Sequence, residues 1–383
     1  MRRYSAVVLK PLLIWIALFV FAPFAHAQTA ATMREVYDAI AYLLPLSVRD
    51  PSGGSEWDHE LINGKFELLK SASSELAKHG ASTDSEFKLI AQSFEQSVAR
   101  AESVFRQSWQ RYGLFALQEL TAHCVSCHTR LPAHGQQWFG EKLRARMPFT
   151  ELSPREQVGL LVATRNFDTA LDIAEKTLGR EDLRPIEADY QGLPVIYLRI
   201  ALATEGSLSR LDDFLARYAA RDDMPIYLKM RYQEWRDTLK KHDAALNELP
   251  DLMYARAAFA DATGRSQVPG NRARVVDDLV AARIMRDWLA ENPDAAAAVR
   301  AEIYYSLGVI ALRTHESEPA IPDMELLLVA CIQAEPGGEY ARMAYLLLEE
   351  YGFVHDQGLA EQLEGQILID MEELKRAAGF NTP

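Results

Sequence analysis

Apolar positions recur three and four apart in both halves of the chain, the spacing of one buried helix face. Thr32 with Glu35 makes a capping box that opens a run carrying Val36, Tyr37, Ile40, Leu43 and Leu44. Ser55 is placed to cap a second run with Leu61, Phe66, Leu69, Ala72 and Leu76, which His79-Gly80 ends. Thr83 with Glu86 opens a third, with Phe87, Ile90, Phe94, Val98, Ala101 and Phe105 on one face. A fourth runs from Tyr112 through Leu114, Leu117, Leu120 and Cys124 to His128, and Pro132 stops it. Four amphipathic helices with short connections predict an up-down-up-down bundle. In that topology the start of helix one, the end of helix two, the start of helix three and the end of helix four share one end. Met33, Leu76, His79 and Phe87 are therefore expected near His128.

From Leu152 onward the pattern predicts shorter helices joined by tight turns. Gln157–Ala163, a turn at Asn166, and Phe167 to Leu178 read as a helix pair. Val195–Leu202, Leu208–Tyr218, Tyr227–Leu239, Met324–Gln333 and Glu339–Tyr351 keep the same rhythm. Tyr304, Leu307, Gly308, Ala311 and Ala320 fall at the spacing of a tetratricopeptide-type repeat, with Pro336 soon after. Gly264 to Arg274, rich in breakers, is expected as an exposed loop. The predicted fold class is all-α: a four-helix bundle followed by an α-solenoid of helix hairpins, whose concave surface would hold a protein or peptide. An irregular helical domain without a groove is the alternative for the second half.

Composition narrows the function. The chain has 383 residues and a net charge of −13, with 41 Lys and Arg against 54 Asp and Glu and no long basic run. A nucleic-acid or anionic-membrane surface is not expected. Arg2, Arg3 and Lys10 precede an apolar run from Pro11 to Phe24 and then Ala25-His26-Ala27, the pattern of a cleaved secretory signal. The run is shorter than the ~20 residues a spanning helix needs. The expected organisation is therefore a signal at 1–27, a bundle at 28–135, a linker at 136–151 and a repeat domain at 152–383. The mature chain is expected in the periplasm, with no membrane span.

Three cysteines are too few for a disulfide scaffold. Two of them form Cys124-Val125-Ser126-Cys127-His128, the C-x-x-C-H pattern of covalent c-type haem attachment. Two thiols three residues apart on one helical turn can each form a thioether to a haem vinyl group, with the adjacent imidazole as iron ligand. A redox dithiol would need a strand before the motif, and the flanking sequence reads as helix. Zinc would need two further ligands, and no second C-x-x-C exists. One motif predicts one covalent haem c, held by Cys124 and Cys127 and ligated by His128. Cys331, in an apolar run, reads as a buried small hydrophobe.

The late position of the motif, at the end of a fourth helix, resembles the class II c-type cytochromes, the cytochrome c′ and c-556 type of four-helix bundle. The resemblance covers about residues 30 to 132. Low-spin members of that family take a methionine near the start of the first helix as second iron ligand, and the resemblance assigns that place to Met33, against a staple or core role for the same side chain. A thioether there favours ferrous iron and raises the potential. Family members often carry C-x-x-C-H-x-x-Tyr-Arg; Thr129-Arg130-Leu131-Pro132 puts Arg130 out of register. His123 is expected to point elsewhere, while His79, His134 and Met147 are weaker candidates for the second ligand.

No catalytic constellation stands out in the second half, so an electron carrier or binding protein is expected rather than an enzyme. The leading expectation is an exported monohaem cytochrome passing single electrons, with the repeat domain docking a redox partner protein or a multiprotein complex. The alternatives are a five-coordinate gas-binding or sensing haem protein, and a repeat-domain assembly scaffold with ancillary haem.

Overall fold

The computed structural model describes residues 29, 31–46, 57–80, 85–106, six positions between 117 and 145, then 149–204, 208–265, 272–314, 322–355 and 366–380. Regular structure among the described residues is helical, with no strand. The fold is all-α.

The N-terminal part holds α1 (31–46), α2 (His59–Gly80) and α3 (Ser85–Arg106). The predicted apolar stripes meet in one cluster: Val36, Leu43, Ile62, Phe66, Leu69 and Val98 are buried together, and Leu117 and Leu120 join them. Antiparallel charge support lies beside that core, where nearly buried Glu102 of α3 takes Lys70 of α2 at 2.9 Å and Arg106 at 2.8 Å.

Two helix starts differ from expectation. Residues 29 and 31 are already helical, so Thr32 sits inside α1 and is not its cap. Asp58, not Ser55, caps α2: its carboxylate accepts the Leu61 amide at 3.0 Å. A side-chain oxygen facing the unpaired N-terminal amides is what makes Asp58 a cap. Helix α3 begins at Ser85, and Ser55 and Thr83 lie outside the described residues. The predicted stop at Gly80 is where α2 ends.

The second half is a succession of helices: α4 (Pro154–Ala163), α5 (Phe167–Leu178), the short α6 (Pro185–Tyr190), α7 (Leu193–Ala203), α8 (Leu208–Ala219) and α9 (Ile226–Asn247). It continues with α10 (Leu252–Arg265), α11 (Val275–Glu291), α12 (Ala297–Thr314), α13 (Pro322–Ala334), α14 (Glu339–His355) and α15 (Gln366–Ala377). Sequence neighbours pack as pairs, α4 on α5, α8 on α9, α10 on α11 and α12 on α13, and one continuous apolar core runs beneath them. Gly308 lets α12 and α13 approach closely. A methyl there would lie 2.7 Å from Leu328 Cδ2, and Leu328 is fully buried. Tyr304 and Leu307 are buried beside it, and Ala320 lies outside the described residues.

The stretch expected as an exposed loop at 264–274 is in part structured. Helix α10 runs to Arg265, and Arg272–Arg274 is a 3-10 turn. The Arg272 carbonyl accepts the Trp235 indole N–H at 2.7 Å, and its guanidinium pairs with Asp189 at 3.0 Å. A fully buried indole needs an acceptor, which fixes this turn against α9.

The two halves share a contact surface. Leu152 and Leu160 are buried in the N-terminal cluster, with Phe149 packed against it, and α3 packs on α13.

Candidate functional site

The motif helix is anchored by the residue that precedes its first cysteine. His123 is buried, its Nε2 lies 2.9 Å from Ser93 Oγ of α3, and its ring packs by that of Phe94. Cys124 and His128 are both helical and partly accessible. The Cys124 thiol donates to the Leu120 carbonyl at 3.5 Å. Cys127 lies outside the described residues, as do Arg130, Pro132, His134, Met147 and residues 1–28.

His128 makes the most informative contact. Its Nδ1 lies 2.6 Å from the carbonyl oxygen of Ala163, the last residue of α4. A carbonyl only accepts, so Nδ1 carries the proton and donates. Nε2 then holds the lone pair. The ring keeps some solvent access yet is densely surrounded by protein. Burial pushes its pKa down to about 4 with help from nearby Arg165, against the opposing pull of the Ala163 carbonyl. The imidazole is thus neutral near pH 7, with the donor nitrogen a metal requires. This donor set fits haem c: an unprotonated Nε2 on His128, and a thiol at the partly accessible Cys124.

The other predicted wall residues fall as follows. Met33 is partly buried in α1, packed against the N-terminal cluster. Because residue 29 is helical, Met33 is not at the fraying first residue of that helix. Leu76 and Phe94 are buried core, and Phe87 is partly buried. The His79 side chain lies outside the described residues. Among the described residues no three His, Cys, Asp or Glu side chains form a metal cluster. Cys331 is fully buried, and desolvation pushes its thiol up to about 12, as suits a small core hydrophobe.

Two features escaped sequence reasoning. The Ala163 carbonyl is backbone and lies 35 residues from His128, so no side-chain pattern could announce it. The second is a buried relay in which His242 Nδ1 meets the Tyr254 hydroxyl at 2.7 Å and Nε2 meets Asp277 Oδ1 at 2.7 Å. His242 is 1% exposed and Asp277 0%, so this relay locks α9, α10 and α11 together away from solvent. Its only sequence signal is the unusual placement of His and Asp on helix faces that are otherwise apolar.

Compared with protein-family models, curated proteins and solved structures, the chain gives no match.

Proposed function

We propose that this chain is an exported monohaem c-type cytochrome that passes single electrons, with its second half docking a redox partner protein or larger assembly. The C-x-x-C-H motif raises the idea, and the state of His128 is the observation that supports it most. Its Nδ1 is committed to the Ala163 carbonyl, which leaves the lone pair on Nε2 of a neutral ring. Haem c, when bound, supplies one-electron iron chemistry.

The rest is done by the chain. Cys124 and Cys127 would hold the porphyrin edge, and His128 would present Nε2 to the iron. Met33 is the proposed second ligand. The buried His123 contact to Ser93 keeps the motif helix from rotating about its axis. The docking half of the reading rests on α8 and α9. Ile226 and Met230 are 73% and 67% exposed beside Ala216 and Ala220, and Lys229, Arg231 and Arg236 line the same groove. Apolar side chains left exposed together mark a surface that associates.

Co-production with a haem-attachment system should yield a red protein carrying the mass of one haem, and Cys127→Ala should lose a thioether. A colourless wild-type chain would refute the reading. Sharp low-spin ferrous bands unmoved by carbon monoxide are expected for electron transfer, whereas carbon monoxide binding would favour the gas-sensing alternative. Met33→Ala is expected to convert the iron to high spin and lower its potential; an unchanged spectrum removes Met33 from the coordination sphere.

A further inference from the structure

Resting on the haem reading, we infer that the turn joining α4 to α5 is the positioning element for the iron-binding imidazole. The Ala163 carbonyl fixes the orientation, tautomer and basicity of His128 from the second half of the chain.

A helix leaves its last carbonyls without intrahelical partners, so each must be accounted for. Here nearly all are taken locally. The Leu160 carbonyl accepts the Thr164 amide at 3.0 Å and the Thr164 hydroxyl at 2.9 Å. Leu161 accepts the Asn166 amide at 2.8 Å, and Val162 accepts the Arg165 amide at 2.9 Å. These crossed bonds are a Schellman motif with Arg165 at C′. The Thr164 carbonyl accepts Asn166 Nδ2 at 3.1 Å. The Ala163 carbonyl is the one this scheme leaves over, and it receives His128.

The motif needs a left-handed residue at C′, where glycine is the usual occupant. Arg165 takes it at φ 58°, and it is the one non-glycine residue with positive φ among the described residues. An L side chain there is strained. The turn itself is held firmly. Asn166 is buried, Nδ2 also meets Thr164 Oγ1 at 3.0 Å, and Leu160 is packed into the N-terminal core. The carbonyl is therefore presented by a rigid element that both halves grip. Donating Nδ1–H to a carbonyl makes an imidazole a stronger donor through Nε2, which favours ferric iron.

The test compares two full-length variants that both remove the guanidinium. Arg165→Gly retains positive φ and with it the Ala163 contact. Arg165→Pro cannot adopt φ 58° and displaces the carbonyl. The Pro variant is expected to show a more positive reduction potential than the Gly variant. In the haem-free full chain, 15N NMR of His128 should report the Nδ1–H tautomer for wild type and Arg165→Gly, and a tautomer mixture for Arg165→Pro. Equal potentials in the two variants, or an Nε2–H tautomer in the wild-type chain, would overturn the inference. The wild-type tautomer decides the matter even if the Pro variant does not fold. Failure of haem to attach would instead strike the proposed function, because the haem-free tautomer is measured independently.

Discussion

Asp277 and Asp278 are neighbours in α11, both buried, and their carboxyls respond in opposite directions. Burial opposes the charge on Asp277, but the His242 hydrogen bond, with Lys241 and Arg274 nearby, outweighs it and holds the group below the usual carboxylate range. Asp278 has only Arg313 to offset a deeper desolvation, and it is pushed up to about 6. A raised carboxyl binds its proton more tightly when folded. Its contribution to stability is therefore complete below the ordinary 3.8 and is lost as pH rises through about 6. Wild type should lose stability relative to Asp278→Asn over that window, by roughly 2–3 kcal/mol, with no further divergence above it. Parallel denaturation curves for the two proteins across that range would contradict this. At this scale the motif residues Cys124, Cys127 and His128 are legible in the sequence because their spacing is dictated by one helical turn. Ala163 is not, since its part is played by a backbone atom.

Elements follow from the apolar spacing more faithfully than their ends do. Phe94, Val98, Ala101 and Phe105 of the predicted stripe become the inward face of α3, and Leu208–Tyr218 becomes α8 to within a residue. Ends are decided by single polar contacts with several eligible donors or acceptors, which is why α2 opens at Asp58. Helix α4 opens on a reciprocal capping box that Ser153 and Glu156 form around Pro154. Gly308 sits where α12 meets α13, and the closeness of α13 is the physical reason for a glycine there. Gly308→Ala adds a methyl 2.7 Å from Leu328 Cδ2 and 3.0 Å from Cγ. The overpacking cost of about 1–3 kcal/mol should exceed the roughly 1 kcal/mol gain in helix propensity. A lowered melting temperature is expected, with partial recovery on adding Leu328→Val. A Gly308→Ala protein as stable as wild type would show that α13 yields at no cost.

Across the whole molecule the halves are joined by more than chain continuity. Leu152 and Leu160 sit in the N-terminal core, α3 lies on α13, and His128 reaches Ala163. Within the second half, Arg199 of α7 donates to the Thr314 carbonyl at 3.2 Å and Arg283 to that of Leu202 at 3.1 Å, ties between helices far apart in order. None of this was legible beforehand, because periodicity says which face is buried and not what buries it. Leu160→Ala is expected to cost about 2–4 kcal/mol and to speed amide exchange in α2 and α3 as well as in α4. Faster exchange confined to α4 would mean that the halves are energetically separate.

Cys331 has a bearing on how such a protein is put together. A sulfur sealed between α13 and its neighbours, and hard to ionise, is removed from oxidation and exchange once those helices have closed. Before closure it is a third thiol competing with the pair at Cys124 and Cys127 for the wrong bridge. Assembly order then carries a penalty: a chain whose C-terminal helices collapse early leaves one pair of sulfurs open, and a late-folding one leaves three possible pairings.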